Sequence, residues 1–533
     1  MLISRTHLTV VEESARRSPS SVAFKIPQSD GSQSKPIWRD ITYQQFLRDV
    51  ESTASHWSRI FRQARIPERS VVGLWIGGYT YQDILSVYGV SRAGFIPQLF
   101  SLRLPNADVI LELLTKTGAK ALIYEDLFES ALQAWPLPIY RVEPLELSAA
   151  SSNLELPPLP TAHSSEIAFF FHTSGSTSGS PKLVPCSYKW LEMTIRKSHS
   201  IYLPQEPDRR DVTTWGGSMC HIFQNFLLIG NLQHNACIVQ LATNPLTAEQ
   251  LIETVHDCGL NRLNIFGSFL AMHLRNSHSD PKLLAMLMSL DEVLYCGLPL
   301  PGEEEHWAYS QGVKLRNVFG STEVGALLVS IGGSGPNAGL LRPTEGSAYK
   351  FVPIESPQSP GTHVSTARLL ELIVLAESDD CPDVSLRHAD GNFHTGDLFQ
   401  EAAPGCYTSH GRDDDWIKSE SSLRCNTKAI EDNARAMCGT LISECVVVGN
   451  GRPNPLLFVE PGTDLAPEKL KVEIIRKTRL FHSRRYIHER IPSAKMVVVV
   501  PRGSLPRTAT KGNIRRKAVE DLYKEQIDEI FSS

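Results

Sequence analysis

The sequence lacks most of the features that mark secreted, membrane-bound or nucleic-acid-binding proteins. Its ten cysteines occur singly between Cys186 and Cys445, with no C-x-x-C pair, which argues against a zinc site or a disulfide framework and fits a reducing compartment. No apolar run approaches the roughly 18 residues of a membrane span, and the N-terminus has no apolar segment typical of a secretory signal. A formal net charge of −5 favours neither nucleic acid nor an anionic membrane as a partner. We therefore expect a cytoplasmic protein.

Length and composition indicate a globular protein with more than one domain. The 533 residues exceed what a single hydrophobic core normally serves. Apolar residues make up 41% and charged residues 21%, as in ordinary soluble proteins. No repeat of fixed period is present that would indicate a solenoid or a propeller.

Helical and strand patterns alternate along the first part of the chain. Apolar residues have helical spacing over 43–61, VVGLWIGG at 71–78 is typical of a buried strand, and 81–94 predicts a helix that ends at Gly94. Short apolar strands follow, among them LNIFGSF at 263–269. This order predicts an α/β fold built on a largely parallel sheet.

The character of the sequence changes near residue 411. The segment GRDDDWIKSES begins there, and the residues beyond it are richer in Lys and Arg. We expect a large N-terminal domain of layered α/β subdomains at 1–410 and a small α+β domain at 411–533, with a charged hinge at 411–418.

A loop rich in Ser, Thr and Gly, TSGSTSGSPK at 173–182, follows a strand-like apolar run. Such residues allow backbone N–H groups and hydroxyls to surround phosphate oxygens, and Lys182 supplies positive charge. The Walker pattern is absent because a Ser-Pro pair precedes this lysine and no Ser or Thr follows it. A plain linker has the same composition, so the loop alone leaves both interpretations open. The candidate phosphate-binding residues are Thr173, Ser174, Gly175, Ser176, Thr177, Gly179 and Lys182.

Five motifs in order decide between these interpretations. The loop is similar to the TSG[ST]TGxPK loop of the adenylate-forming (AMP-binding) superfamily, with Ser178 as one extra residue. NVFGSTE at 317–323 resembles the family's N-x-[YF]-G-x-T-E, and FHTGDL at 393–398 resembles its [YF]-x-T-G-D core. GRDDDWIK resembles the hinge motif, and LPRTATKGNIRR at 505–516 resembles the C-terminal lysine motif. The superfamily includes acyl-CoA synthetases, luciferases and peptide-synthetase adenylation domains. The resemblance covers essentially the whole chain, which is most similar to fungal-type peptide-synthetase-like adenylating enzymes.

The resemblance implies how the central motif would bind Mg·ATP. Glu323 would be the Mg²⁺ ligand, because this hard cation prefers carboxylate oxygens. Thr322 would contact phosphate, Phe319 would stack on adenine, and Asn317 would read the adenine amino group. Core packing is the alternative role of Phe319, and both roles can hold together. The nucleotide-binding residues of this motif are Asn317, Phe319, Gly320 and Ser321.

The two following motifs imply a ribose contact and a hinge. Asp397 would accept hydrogen bonds from the ribose hydroxyls, and Arg412 would contact ribose or phosphate. Asp414 aligns with the hinge position of the family. Asp413 and Asp415 are interpreted as solvated, since no His or Cys flanks them to suggest a metal site.

The C-terminal lysine motif departs from the common P-x-T-x-x-G-K order. A variant of the form P-K-T-A-K-G aligns Lys511 as the catalytic lysine once one inserted threonine is allowed. By resemblance, Lys511 would bridge the acyl carboxylate and the α-phosphate and neutralise the transition state. Arg515 and Arg516 are the alternative sources of this charge. In the family, the small domain is mobile and swings about the hinge between the two half-reactions.

The acid-binding pocket is implied by motif spacing. In amino-acid-activating relatives an Asp pairs with the substrate's α-ammonium, whereas His221 stands in that place here, as in acyl- and aryl-CoA ligases. An ammonium buried without a carboxylate partner costs several kcal/mol, so an α-amino acid is not expected to bind. The other expected pocket residues are uncharged, which predicts an apolar or aromatic acid, although simple core packing would also place them at strand ends. They are Leu294, Cys296, Gly297, Val318, Ala326 and Leu327.

The implied reaction converts a carboxylic acid and Mg·ATP to an acyl adenylate and pyrophosphate, followed by transfer to a thiol. No carrier-type G-G-[DH]-S site is found in the sequence. The expected acceptor is therefore CoA, or alternatively the phosphopantetheine thiol of a separate carrier protein in a secondary-metabolite pathway. A phosphotransferase is a further alternative but lacks its usual lysine or base motif. A non-catalytic nucleotide-binding protein is another alternative, since the inserted Ser178 and the shifted Lys511 can mark decay.

The lysine assignment makes a direct prediction. Replacing Lys511 with Ala should lower adenylate formation by orders of magnitude while ATP binding and folding stay nearly intact, because the charge acts mainly in the transition state. Acid-dependent exchange of labelled pyrophosphate into ATP measures the effect. Near-normal exchange by Lys511→Ala, together with its loss in Arg515→Ala or Arg516→Ala, would contradict the assignment.

Overall fold

The computed structural model describes most of the chain. The described residues are 2–3, 5–28, 36–102, 104, 106–132, 135–142, 156–159, 162–173, 181–243, 245–354, 369–413, 416–418, 424–483, 485, 489–507 and 514–532. They form a large N-terminal α/β domain and a small C-terminal domain, as the sequence predicts. Among these residues, every helix is too short or too polar to cross a membrane.

The first part of the chain forms a largely parallel sheet. Its elements are β1 (Leu2–Ile3), α1 (His7–Arg17), β2 (Val22–Gln28), β3 (Ile37–Thr42), α2 (Tyr43–Gln63), β4 (Val71–Trp75), α3 (Tyr81–Arg92), β5 (Ile96–Phe100), α4 (Ala107–Thr117), β6 (Ala121–Tyr124), a 3-10 turn (Asp126–Leu132), β7 (Ile139–Arg141), β8 (Ala162–His163), β9 (Ile167–Thr173) and β10 (Lys182–Ser187). In the described part of the chain, the strand order of this first sheet is β10-β9-β5-β4-β6-β7, and only the β9–β10 pair is antiparallel.

Local signals in the sequence explain these elements. Helix α2 begins where the Thr42 side chain accepts a hydrogen bond from the backbone N–H of Gln45. A reciprocal capping box between Thr80 and Asp83 starts α3, and the chain turns after that helix at Gly94, whose φ of 90° suits glycine. Strand β4 is buried along its whole length because parallel neighbours and helices cover it. The predicted strand and both predicted helices are confirmed.

The second part of the chain forms a larger mixed sheet. Its elements are α5 (Tyr188–Ile201), β11 (Val212–Trp215), α6 (Ile222–Gln233), β12 (Cys237–Gln240), α7 (Ala248–Cys258), β13 (Arg262–Phe266), α8 (Gly267–Ser277), α9 (Pro281–Ser289), β14 (Glu292–Cys296), α10 (Gly302–Ser310), β15 (Leu315–Ser321), β16 (Gly325–Ser330), β17 (Leu341–Pro343), β18 (Tyr349–Pro353), β19 (Leu370–Val374), a 3-10 turn (Val384–Leu386), β20 (Phe393–Ala403) and β21 (Cys406–Arg412). Among the described strands, the order of this second sheet is β18-β19-β20-β21-β17-β16-β15-β14-β13-β11-β12-β2-β3.

The short strand predicted within 263–269 ends at its glycine. Strand β13 ends at Phe266, and α8 begins at Gly267. A side chain at Gly267 would collide with the backbone carbonyl of Leu298, so the close approach of two backbones requires glycine there. The apolar residues that follow belong to a buried helix, which suits them as well as a buried strand does.

The last part of the chain forms the small domain. Its elements are β22 (Trp416–Lys418), β23 (Arg424–Asn426), α11 (Thr427–Cys438), a 3-10 turn (Gly439–Leu441), β24 (Ile442–Val448), β25 (Leu456–Pro461), α12 (Pro467–Ser483), a 3-10 turn (Ala494–Met496), β26 (Val497–Val499), α13 (Arg516–Leu522) and α14 (Lys524–Ser532). Apolar side chains of β24, β25, α11 and α12 form a core of their own. The boundary at residues 410 and 411 stays a prediction.

The two large sheets share one hydrophobic core. Its buried side chains come from α1, α2, α3, α5 and α6, from β4 and β9 of the first sheet, and from β2 and β12 of the second. Helix α5 leaves the first sheet directly after β10, and its contacts with β16 lie in the second sheet. Helix α5 therefore connects strand β10 of the first sheet with the β15–β16 hairpin of the second.

Candidate active site

The strands that flank the phosphate loop hold its two ends together. Thr173 is the last residue of β9 and pairs directly with Lys182, the first residue of β10. Residues 174–180, which include the predicted Ser174, Gly175, Ser176, Thr177 and Gly179 as well as the inserted Ser178, lie outside the described residues. The loop therefore connects two adjacent antiparallel strands of one sheet, which argues against a linker between domains.

A buried histidine fixes the strand just before the loop, and our sequence reasoning did not identify it. His172 donates a hydrogen bond from Nδ1 to the carbonyl of Leu99 over 2.9 Å, and its Nε2 lies 3.2 Å from the side-chain nitrogen of Gln98. The ring stacks on Phe100 at 4.4 Å between centroids. Burial lowers the pKa of His172 to about 4, so the imidazole is neutral near pH 7. Its place directly before a Ser/Thr/Gly loop is the signal that could have revealed it.

The NVFGSTE motif forms strand β15 and the turn into β16. The backbone N–H of Asn317 donates to the Ser330 hydroxyl over 2.8 Å. Gly320 has no room for a side chain because the carbonyl of Gly325 faces it, and Gly325 itself has a φ of 77°. These two glycines allow the tight turn that carries Thr322 and Glu323. Ser321 pairs with Gly325 at the last register position of the hairpin.

Phe319 has the core-packing role that the sequence left open. Its ring meets Phe399 edge-on, with 5.2 Å between centroids, and it is only partly buried against the neighbouring apolar cluster. The exposed part of the ring leaves a face on which a base can stack. Packing and adenine binding are therefore compatible at this position.

Glu323 lies in the β15–β16 turn, and its backbone carbonyl accepts a hydrogen bond from the Trp190 indole at the start of α5. The Glu323 side chain is half-buried. Burial raises the pKa of the Cys186 thiol on β10, and the negative charges of Glu323 and Asp383 add to that increase, so the Glu323 carboxylate is close enough to β10 to interact with it electrostatically. A carboxylate in this position can bind a cation that is shared with phosphates held by the loop. Within the described residues, no group of three His, Cys, Asp or Glu side chains is arranged to hold a metal ion.

Asp397 and Arg412 face each other on adjacent strands. They are register partners in the β20–β21 pair, and their charged atoms lie 3.8 Å apart. The backbone N–H of Asp397 donates to the Thr395 hydroxyl over 3.0 Å, which fixes the start of the strand. The Asp397 side chain is 12% exposed and that of Arg412 is 49% exposed, so the pair lies at the surface of the sheet with Arg412 as the more accessible partner.

The start of α6 places His221. The Ser218 hydroxyl donates to the carbonyl of Gly77 over 2.6 Å, and the N–H of Met219 donates to the carbonyl of Gly78 over 2.8 Å. A side chain at Gly78 would collide with Ser218, so glycine is required at this contact. His221 follows as the N-cap residue of α6 and is half-buried. Its position is thus set by the first sheet, although α6 packs against the second.

The expected pocket residues divide between two faces of the second sheet. Leu294, Val318 and Ala326 pack together with residues of α5 and α6 in one apolar cluster. Leu327 lies in the cluster on the other side of β16, because successive strand residues point to opposite faces. Cys296 is buried at the end of β14, which raises the pKa of its thiol, and Gly297 follows with a φ of 86°.

Phe266 lies beside the expected pocket residue Gly297 and is a further candidate that our sequence reasoning missed. A side chain on Gly297 would lie 3.6 Å from its ring, and one on Gly217 would lie 3.3 Å from it. The ring therefore stands between two glycine-lined backbones, with Phe223 of α6 at 6.3 Å between centroids. The paired signal in the sequence is that a glycine directly follows both β13 and β14, at Gly267 and Gly297.

The catalytic lysine and the hinge residue predicted from the sequence both lie outside the part of the chain that the structure describes. Lys511 and Asp414 lie outside the described residues, as does Asp415. Arg516 is described, and it forms an ion pair with Glu431 at 2.5 Å. This pairing within the small domain disfavours Arg516 as the source of the catalytic charge.

The residues predicted to bind ATP are distributed over both sheets. Strands β9 and β10, which flank the predicted phosphate-binding loop, belong to the first sheet, whereas Glu323, Phe319 and the Asp397–Arg412 pair belong to the strands and turns of the second. His221 and the apolar cluster lie on the α6 side of the same hairpin. Such a site can hold a nucleotide triphosphate beside an organic acid.

Comparison with known proteins agrees with this geometry. The family model described as AMP-binding enzyme matches residues 11–353, and that of the AMP-binding enzyme C-terminal domain matches residues 414–533. The AMP-binding domain-containing enzyme iboA of Amanita muscaria is 34% identical over 94% of this chain and 98% of its own length. The adenylate-forming reductase Nps11 of Serpula lacrymans is 23% identical over 96% of this chain, which spans 48% of that relative.

Solved structures share the fold. The o-succinylbenzoate CoA synthetase of Bacillus subtilis, in complex with its acyl-adenylate intermediate, superimposes with a TM-score of 0.73 at 15% identity and covers 97% of this chain and 98% of its own. The anthranilate CoA ligase AuaEII, in complex with anthranoyl-AMP, has a TM-score of 0.70 at 18% identity, with 97% of each chain covered.

The Asp397–Arg412 pair generates a prediction about ATP affinity. Asp397→Asn removes the charge that would accept from the ribose hydroxyls, so the affinity for ATP should fall about 10- to 100-fold. Isothermal titration with ATP measures the change. Asp390→Asn is the matched control, because Asp390 pairs with His394 at 3.0 Å just before the same strand. Equal ATP affinities of the two variants would contradict the ribose assignment.

Proposed function

Because the chain belongs to the AMP-binding enzyme family and is an acid-activating, adenylate-forming ligase, we propose that its acid has an apolar or aromatic body and no α-amino group. We further propose that the acyl adenylate is transferred to a thiol, and that this thiol is CoA.

The proposal rests on the chemical character of the side chains at the expected acid-binding pocket, which are apolar or aromatic apart from His221. His221 occupies the start of α6, where an ammonium-binding carboxylate would be needed for an amino acid. The neighbouring cluster of Leu294, Val318 and Ala326 is apolar, and Phe266 adds an aromatic ring between two glycines. An acid that fits this environment gains from burial of apolar surface and needs no counter-charge.

The first half-reaction follows from this placement. A carboxylate oxygen of the acid attacks the α-phosphorus of Mg·ATP, the bond from that phosphorus to the bridging β-phosphate oxygen breaks, and Mg·pyrophosphate leaves. In this proposal Glu323 binds the cation that travels with ATP, and the loop at 173–182 holds the β- and γ-phosphates. Thr322 contacts phosphate from the same turn as Glu323, Asp397 accepts from ribose, and Lys511 stabilises the charge that develops at the α-phosphate.

The second half-reaction transfers the acyl group. A thiolate attacks the carbonyl carbon, a thioester bond forms, the bond from the carbonyl carbon to the phosphate oxygen breaks, and AMP leaves with that oxygen. We propose that the small domain moves about the hinge that includes Asp414 between the two steps. The fold neighbours whose names describe CoA synthetases and CoA ligases support CoA as the acceptor.

A separate carrier protein is the second candidate acceptor. The adenylate-forming reductases that match this chain are about twice its length, so this chain corresponds to one part of a longer arrangement in those relatives. Their names describe adenylate formation followed by reduction rather than release as a CoA ester. This comparison favours testing a carrier-bound product beside the CoA ester.

Pyrophosphate exchange with a panel of acids tests the substrate proposal. We expect exchange with aryl or medium-chain alkyl acids and little with free proteinogenic amino acids. His221→Asp should lower kcat/KM for the preferred acid at least about tenfold, because a carboxylate beside the bound substrate carboxylate repels it. His306→Asp, on the exposed face of α10, is the control. Robust exchange with an amino acid, and none with aryl or fatty acids, would overturn the proposal.

Mass spectrometry of the products with CoA present tests the acceptor. The proposal predicts an acyl-CoA and AMP in equal amounts. Accumulation of free adenylate only, with acylation of an added carrier protein, would identify the carrier as the acceptor instead.

A further inference from the structure

The site joins groups that belong to two different sheets. The phosphate loop ends at Lys182 on β10 of the first sheet, whereas Glu323 lies on the β15–β16 turn of the second sheet. A cation shared by phosphates and Glu323 tolerates little variation in the distance between its ligands. Some contact must therefore fix the turn relative to the strand that leaves the loop.

Trp190 makes such a contact. Helix α5 begins immediately after β10, and the Ser187 side chain accepts a hydrogen bond from the backbone N–H of Trp190 over 3.2 Å, which fixes the first turn of the helix. The Trp190 indole then donates from Nε1 to the backbone carbonyl of Glu323 over 3.1 Å. The ring also lies 3.6 Å from the position of a side chain on Gly325. The Trp190 side chain is 2% exposed, so water does not compete for this hydrogen bond.

A second contact supports the same hairpin two turns further along α5. The Lys197 ammonium donates to the backbone carbonyl of Ala326 over 2.7 Å and to the Tyr349 hydroxyl over 2.8 Å. It also forms an ion pair with Asp380, and both charged side chains are almost completely buried. The hairpin is thus held at the carbonyls of Glu323 and Ala326, on either side of the Gly325 bend.

From this geometry we propose that Trp190 is a positioning residue for the metal-binding carboxylate: its indole N–H holds the Glu323 backbone so that the side chain meets the cation on the phosphates. The inference rests on the proposed function, in which Glu323 binds Mg²⁺. Trp190 does not touch the substrate in this account. It acts through the turn, and Lys197 holds the other end of that turn.

Loss of the indole N–H should affect cation binding and leave acid binding nearly unchanged. The Glu323 carbonyl is left without its buried donor, and the turn can then shift away from α5. A shift of the carboxylate weakens cation binding, whereas the apolar acid pocket keeps its walls. We therefore expect the dependence on Mg²⁺ to change while the KM for the acid stays nearly constant.

Trp190→Phe tests the inference, with Trp307→Phe as the matched control. Trp307 also donates from its indole, to the Ser277 hydroxyl over 3.2 Å, but joins α10 to α8 away from the hairpin. Pyrophosphate exchange is measured over a range of Mg²⁺ concentrations. For Trp190→Phe the Mg²⁺ concentration at half-maximal rate should rise about 3- to 10-fold and kcat should fall, with the KM for the acid within about twofold of wild type. Trp307→Phe should match wild type in the Mg²⁺ concentration at half-maximal rate, in kcat and in the KM for the acid.

A double-mutant cycle separates positioning from general destabilisation. If Trp190 acts through Glu323, Trp190→Phe should have no further effect on the Mg²⁺ dependence when it is combined with Glu323→Gln. Additive effects of the two substitutions would overturn the inference. The inference would also be overturned if Glu323→Gln raises the Mg²⁺ requirement while Trp190→Phe behaves like Trp307→Phe. A Glu323→Gln enzyme with normal Mg²⁺ dependence would instead overturn the metal assignment in the proposed function, and the inference with it.

A second substitution keeps the test valid if Trp190→Phe does not fold. Incorporation of 3-benzothienylalanine at position 190 replaces the indole N–H with sulfur and preserves the shape of the ring. This variant should fold like wild type and show the same raised Mg²⁺ requirement. A folded variant with the wild-type Mg²⁺ dependence would contradict the role of the N–H donor.

Discussion

The contact between helix α5 and the β15–β16 hairpin is the constraint on which the rest of the site depends. The strands that flank the predicted phosphate loop and the turn proposed to bind the metal belong to different sheets, and the two sheets share an apolar core. Apolar packing is not directional, so it brings the sheets together without fixing a turn to within a few tenths of an ångström. Two buried hydrogen-bond donors on α5, the Trp190 indole and the Lys197 ammonium, supply that direction by binding backbone carbonyls of the hairpin. Because both donors bind backbone rather than side chains, they fix the hairpin without occupying the cleft.

The charged residues divide into buried ones that position the hairpin and partly exposed ones that are proposed to bind the nucleotide. Lys197 and Asp380 are buried and neutralise each other, as buried ions must, so their charges contribute to position and not to ligand binding. Burial lowers the pKa of Lys197, while its carboxylate partner opposes that shift. The groups proposed to bind the nucleotide, Glu323 and the Asp397–Arg412 pair, keep part of their surface exposed. His172 is neutral near pH 7 and binds the carbonyl of Leu99 within the first sheet, so it offers no positive charge to a phosphate.

The sequence predicts short-range features of this protein well and long-range contacts poorly. The helix at 43–61, the buried strand β4 and the motif-bearing hairpin follow from periodicity, caps and glycines that act over a few residues. The partners Trp190 and Glu323 are 133 residues apart, and no local pattern marks a tryptophan in a helix as a donor to a distant carbonyl. Phe266 was missed for a related reason, because its role depends on glycines at 217 and 297 that meet only in the folded sheet. Leu327 was grouped with Ala326 by spacing, yet the alternation of a strand places it on the other face.

A crystal structure with a non-hydrolysable acyl-sulfamoyl adenosine, whose acyl group is taken from the preferred acid, tests the central claim most directly. The account predicts ribose hydroxyls within hydrogen-bond distance of Asp397, the base against Phe319, and the acyl body beside His221 and Phe266, with the Glu323 carboxylate facing the sulfamoyl group. A ligand bound outside the cleft between the two sheets would contradict it. So would an acyl group directed away from the α6 side of the β15–β16 hairpin.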